Sequence, residues 1–191
     1  MKQKLAIFLS GTGSNARNIC HYFKGHSKIE VVLLLSNNEY SGALAIGKEF
    51  GIPHLIFSRD EFSNSDFVLQ QLMLHDVNTI VLAGFLWLIP QNLLKHYKDQ
   101  IINIHPSLLP KYGGRGMHGH HVHQAVFEHK EAYSGITIHL CNEEYDKGKI
   151  LFQQIMALND SDTPDTIAAK VLQLEHEYYP RVIEDFILGK L

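Results

Sequence analysis

Over the first half of the chain, short apolar runs alternate with stretches of helical spacing. Residues 4–9, 30–35, 54–57, 79–85 and 101–104 read as strands. Between them, residues 15–23, 41–50, 65–75 and 90–97 carry helical spacing. Gly51 stops the second of these helices, and Pro90 suits the first position of the fourth. In Thr79-Ile80-Val81-Leu82 one apolar residue follows another. Such a run is buried on both faces, as in a parallel sheet covered by helices. The alternation predicts an α/β fold, a doubly wound, mostly parallel sheet with helices on both faces. Beyond Pro106 the pattern changes. A glycine-rich loop at 112–116 leads into a histidine-rich helix at 118–129, followed by strands at 134–141 and 149–158. A last helix opens with Thr163 as N-cap, Pro164 at its first position and Asp165 in its first turn. Ile167, Val171, Leu174 and Tyr178 keep its spacing, and Pro180 is expected to break or kink it.

Composition narrows the class. At 191 residues, 45% of them hydrophobic, the chain can fill one core and is expected to form one domain. Seventeen Lys and Arg against 20 Asp and Glu leave a net charge of -3, so nothing favours a nucleic-acid partner. No stretch approaches the roughly 20 apolar residues that span a bilayer, so no membrane partner is expected. The N-terminal LAIFL run is too short for a leader and fits a first strand. Cys20 and Cys141 are too few for a disulfide scaffold or an all-cysteine zinc site. They read as buried thiols in a reducing, cytoplasmic compartment.

Ser10-Gly11-Thr12-Gly13-Ser14-Asn15 joins the first strand to the first helix. Glycines let an anion approach the backbone, and a helix N-terminus offers N–H groups and partial positive charge. The loop reads as a phosphate cradle with Ser14 and Asn15 as additional donors, or else as a tight turn. Gly11, Gly13 and Ala16 fit the loose dinucleotide pattern. That pattern also wants an acid at the end of the second strand. Ser36-Asn37-Asn38 stands there instead, which favours a single phosphate.

Asn103-Ile104-His105-Pro106-Ser107-Leu108-Leu109-Pro110 carries the strongest chemistry. Strand side chains alternate faces, so Asn103 and His105 point the same way. An amide donor beside an imidazole suits an oxyanion developing on a carbonyl under attack. A polar strand end with a satisfied histidine is the alternative reading.

NIHPSLLP, together with SGTGSN and the Glu144-Tyr145-Asp146-Lys147-Gly148 loop, resembles the folate-dependent formyltransferases over nearly the whole chain. The GTGSN loop and the absence of a further domain point to the branch that acts on glycinamide ribonucleotide. The resemblance implies a Rossmann-like formyltransferase domain over 1–191, with a phosphate-binding part at about 1–100 and a folate and catalytic part at about 101–191. It implies formyl transfer from 10-formyltetrahydrofolate to the primary amine of glycinamide ribonucleotide, in purine biosynthesis leading to IMP. By that likeness Asn103, His105 and Asp146 match the catalytic triad, and His139 a supporting histidine. Gly13, Ser14, Asn15 and Glu175 match ribonucleotide contacts. Leu86, Trp87, Leu88, Ile89 and Asn103 match the folate site. Asp146 is expected to keep His105 charged and to position a water or take the amine proton. Trp87 stands where many relatives carry Arg, so a flat ring is offered to the pterin or to the core.

His118, His120, His121 and His123 invite a metal reading. They lack the HExxH spacing and point in several directions, and the family's paired histidines, matched by His121 and His123, need no metal, so none is expected. Arg115 is a candidate anion contact or a solvated loop cation. The expected partners are small molecules, acting on a monomer or homodimer. Other readings keep the fold and change the acceptor to an amino sugar nucleotide, methionyl-tRNA or water, the last a formyltetrahydrofolate hydrolase. A non-catalytic nucleotide-binding module would use the glycine loop alone.

Overall fold

A computed structural model describes all 191 residues. It is an α/β protein of seven mostly parallel strands and seven helices, which divides into two compact units, Met1–Ile102 and Asn103–Leu191.

The first unit is built from β1 (Gln3–Leu9), α1 (Ser14–Tyr22), β2 (Ile29–Ser36), α2 (Ala43–Phe50), β3 (His54–Ile56), α3 (Arg59–Ser63), α4 (Phe67–Leu74), β4 (Thr79–Leu82) and α5 (Gln91–His96). Its strands run parallel in the order β3-β2-β1-β4. β1 is buried from Leu5 to Leu9 and β4 throughout, as unbroken apolar runs require. Gly51 ends α2 in the left-handed conformation, as its position in the sequence predicts. Two expectations need correction, and one helix is added. The strand predicted to reach Phe85 ends at Leu82. Pro90 is the N-cap of α5, with extended backbone, rather than its first helical residue. The predicted helix at 65–75 is preceded by a separate short helix, α3. Ser58 and Glu61 form its capping box, in which Ser58 Oγ accepts from the Glu61 N–H (3.2 Å) and Glu61 accepts from the Ser58 N–H (2.7 Å).

β5 (Ile101–His105) crosses from one unit to the other. The second unit continues with α6 (His120–Glu128), β6 (Tyr133–Leu140), β7 (Ile150–Ala157) and α7 (Pro164–Ile187). β6 and β7 pair antiparallel, with a register shift between Ile138 and His139. Thr163, Pro164 and Asp165 open α7 as predicted. Pro180 does not end it: the helix runs on through Ile187. Tyr179, Pro180, Val182 and Ile183 are all buried, and this packing sustains the helix where one backbone hydrogen bond is lost.

Candidate active site

In the first unit, the carboxyl end of β1 turns into α1. Gly13 is the helix N-cap at φ 79°. A Cβ there would lie 2.7 Å from Leu9 Cδ1 and 2.8 Å from Ile46 Cδ1, so both conformation and packing demand glycine. This N-cap has no side chain to satisfy the first turn, which suits an incoming anion. Ser14 is exposed and Asn15 half-buried. Behind the loop, the Gly42 N–H donates to the Gly11 carbonyl (2.9 Å).

The segment after β4 turns two leucines outward: Leu86 is 47% and Leu88 41% exposed. Ile89 is buried, so it belongs to the core. Trp87 meets Phe57 and Phe85 edge-on, and the Arg59 guanidinium lies over its ring, 4.2 Å from the centroid. Arg59 had no assigned place in the sequence reading. The capping box that starts α3 is the local signal that could have found it.

In the second unit, Asn103, His105, His139 and Asp146 form one cluster. Asn103 and His105 stand on the same side of β5, as their spacing predicts. Asn103 Nδ2 lies 3.1 Å from His139 Nε2. His139 Nδ1 faces the Leu140 carbonyl at 2.9 Å and so carries a proton, because a carbonyl only accepts. Its Nε2 also lies 3.5 Å from Asp146 Oδ1. In the neutral ring that nitrogen accepts from Asn103, and in the protonated ring it donates to Asp146. His105 Nδ1 lies 3.5 Å from Asp146 Oδ2, and His105 Nε2 donates to the Tyr112 carbonyl at 2.7 Å. The Gly114 N–H donates to Asp146 Oδ2 at 2.9 Å.

Both His105 nitrogens therefore face acceptors, an arrangement suited to imidazolium. Burial opposes it and wins: the pKa of His105 is lowered, although Asp146 and the Tyr112 carbonyl push it up. The expectation that Asp146 keeps His105 charged is corrected, since desolvation of a ring 4% exposed outweighs the carboxylate. For Asp146 the balance tips the other way. Burial pushes its carboxyl up, but the imidazoles of His139 and His105 and the Gly114 N–H together hold it below the ordinary aspartate value.

The loops around this cluster are fixed by residues the sequence reading did not single out. Thr137 Oγ1 donates to the Ser107 carbonyl (2.6 Å) and accepts from the Leu109 N–H (3.0 Å) and Gln153 Nε2 (2.9 Å). It thereby pins the segment that follows His105. Gly113 leaves room for the acid: a Cβ there would sit 2.5 Å from Leu109 Cδ2 and 3.3 Å from Asp146 Cβ. Glu175 lies on the buried face of α7 at 9% exposure, and Arg115 is exposed.

The remaining histidines do not converge. His120 Nε2 pairs with Asp165 Oδ1 (3.2 Å), and His118 meets His121 edge-on. His123 is buried, its pKa lowered to about 4 by burial and by its neighbours His120 and His105. No group of three or more His, Cys, Asp or Glu side chains comes together in a way that could hold a metal ion.

A strand-end amide and imidazole beside a loop carboxylate, on an α/β scaffold, offer hydrogen-bond donors and a proton acceptor to a carbonyl under attack. The formyl transferase family profile matches residues 3–183, and the chain belongs to that family. Its relatives include phosphoribosylglycinamide formyltransferase, chloroplastic, of Arabidopsis thaliana, 42% identical over 95% of this chain. The chain spans 64% of that relative's length. The phosphoribosylglycinamide formyltransferase of Bacillus subtilis is 34% identical, covering 97% of this chain and 95% of its own. The crystal structure of phosphoribosylglycinamide formyltransferase from Anaplasma phagocytophilum aligns at a TM-score of 0.89 and 28% identity, over 100% of this chain and 89% of that one.

Proposed function

We propose that the protein is a folate-dependent formyltransferase that moves the formyl group of 10-formyltetrahydrofolate, its co-substrate, to the primary amine of glycinamide ribonucleotide in purine biosynthesis. The observation that carries this reading is the cluster of Asn103, His105, His139 and Asp146, in which both imidazoles are buried. The printed names of the relatives support the choice of acceptor.

The neutral amine attacks the formyl carbon, forming the new C–N bond as charge develops on the formyl oxygen. Collapse of that oxyanion breaks the bond from the formyl carbon to the folate N10, which takes up a proton and leaves as tetrahydrofolate. Asn103 Nδ2 and His105 Nε2 are the donors to that oxygen. In the free protein each is already engaged, Asn103 with His139 and His105 with the Tyr112 carbonyl. The formyl oxygen takes the place of these partners. One such donor is typically worth about 3–4 kcal/mol of barrier. Asp146, held ionised, accepts the proton that leaves the amine nitrogen, directly or through water, and returns it to the departing folate nitrogen. Gly13, Ser14 and Asn15 hold the ribonucleotide phosphate and Glu175 the ribose. Leu86, Trp87 and Leu88 form the folate surface, with Ile89 behind them. Arg59 on Trp87 supplies a cation to the acidic end of the folate. In this reading residues 1–102 bind the phosphate and residues 103–191 carry the catalytic groups.

Small-molecule substrates need no second copy of the chain, so a monomer or homodimer serves equally. No helix is long and apolar enough to cross a membrane. Neither cysteine is in a disulfide. Burial pushes both thiols up, Cys20 to about 12, which disfavours the reactive thiolate. A cytoplasmic location is part of this proposal.

The test is to mix protein, glycinamide ribonucleotide and 10-formyltetrahydrofolate and follow folate absorbance. Absorbance change that requires the ribonucleotide supports the reading. Formyl release without the amine, or none at all, overturns it.

A further inference from the structure

The parallel ladder between β1 and β4 continues past their ends. Ala83 N–H donates to the Phe8 carbonyl (2.8 Å), and Ser10 N–H donates to the Gly84 carbonyl (3.1 Å). The next acceptor in that pattern, for the Leu86 N–H, is the Ser10 carbonyl. That carbonyl instead accepts from Asn38 Nδ2 (3.0 Å), and the Leu86 N–H donates to Ser10 Oγ (3.1 Å). A side-chain hydroxyl thus substitutes for a backbone carbonyl. Asn38 is itself fixed, its N–H donating to Ser36 Oγ (3.1 Å) and its Oδ1 accepting from the Tyr40 N–H (3.0 Å).

Ser10 is 8% exposed and is the last residue before the glycine loop. Leu86 is the first residue of the Leu86-Trp87-Leu88 segment, whose two leucines turn outward. One residue therefore ties the start of the loop to the start of that segment. The tie lies where the strand order β3-β2-β1-β4 changes direction from β1, the switch point beside which open α/β sheets bind ligands. Glycines flank it, at Gly11 next to Ser10 and at Gly84, whose carbonyl accepts the Ser10 N–H.

We propose that Ser10 is a positioning residue that couples the two substrate contacts: a phosphate seated on the glycine loop fixes Ser10, and Ser10 fixes the Leu86 N–H and the folate surface that begins there. The proposal rests on the functional reading above. The first ligand sets the position of the shared node that the second also needs, so the second binds tighter.

Equilibrium binding of glycinamide ribonucleotide and tetrahydrofolate, a pair with no formyl group to transfer, tests this. In the wild type, saturation with one is expected to tighten the other about fivefold or more, by the same factor in both directions. Ser10→Ala keeps both backbone hydrogen bonds and loses only the hydroxyl. Each ligand alone should still bind, while the coupling factor falls to within about twofold of one. Asn38→Ala opens the other arm and should do the same. The double variant should lose nothing further, and Ser10→Thr should restore coupling. Full coupling in both single variants, or binding without coupling in the wild type, overturns the proposal. If Ser10→Ala fails to fold by circular dichroism, Asn38→Ala decides. Failure of either ligand to bind the wild type overturns the functional reading and the coupling with it.

Discussion

The two candidate sites, one in each unit, are built from different materials. The glycine loop works through backbone and apolar packing: Gly13 is fixed by its φ and by Leu9 and Ile46, and its polar contacts are backbone groups and amides. The cluster around His105 works through buried ionisable side chains, whose charge is set by competing burial and proximity. The first kind of site tolerates loss of a side chain but not a gain of volume. The second tolerates almost no loss, because each group is the partner of another.

Side-chain deletions in the cluster should therefore have the largest effects. Asn103→Ala is expected to lower kcat by roughly 10²–10³-fold, with binding of the ribonucleotide little changed. Asp146→Asn should leave the fold intact by circular dichroism and lower kcat by at least about 10²-fold. Near-normal turnover would remove Asp146 from the chemistry. The same variant sharpens the comparison through pH. Asp146 pushes the His105 pKa up against burial, so its loss should move the His105 titration in the kcat/KM profile to still lower pH. An unmoved profile would assign that titration to another group.

Gly13→Ala tests the loop by adding one methyl. A left-handed φ costs an ordinary residue about 1–2 kcal/mol, and the methyl meets two core side chains. The expected result is a lower Tm and a KM for ribonucleotide raised more than that for folate. Equal changes in the two KM values would argue that the loop is structural only. Arg59→Ala should act more weakly, because an exposed cation–π pair is worth about 0.5–1 kcal/mol. A severalfold rise in folate KM with kcat held is expected, and truncating the folate's acidic end should abolish the difference between variant and wild type.

The last prediction concerns stability rather than catalysis. The His123 pKa lies at about 4 in the folded state, below the ordinary histidine value near 6.5. Protonation then favours the unfolded chain, so the contribution is present above about pH 6.5 and is lost as pH falls towards 4. His123→Leu should lose less Tm between pH 7 and 4.5 than the wild type. An identical loss would place the acid sensitivity elsewhere.

Sequence spacing made Asn103 and His105 legible as a pair, because alternate residues of a strand share a face. It also made the glycine loop legible, because strand, glycines and helix follow one another without interruption. Spacing alone could not join Asp146 to them. The acid lies on a loop beyond β6, and only the opening at Gly113 and the Gly114 N–H bring its carboxylate to His105. Pro180 misled for a related reason: local backbone chemistry argues for a break, and burial on both sides of it decides otherwise. Arg59 was missed because its partner, Trp87, is remote in sequence.

Local periodicity and short motifs determined the α/β class, the element order, the glycine cradle and the paired amide and imidazole. Those features depend on neighbours a few residues apart, and the chain's covalent geometry fixes them. Tertiary structure alone decided which way the His105 pKa moves, the partners of both its nitrogens and the hydrogen bonds that Ser10 makes. Desolvation and hydrogen bonding between distant segments exist only once those segments are packed together.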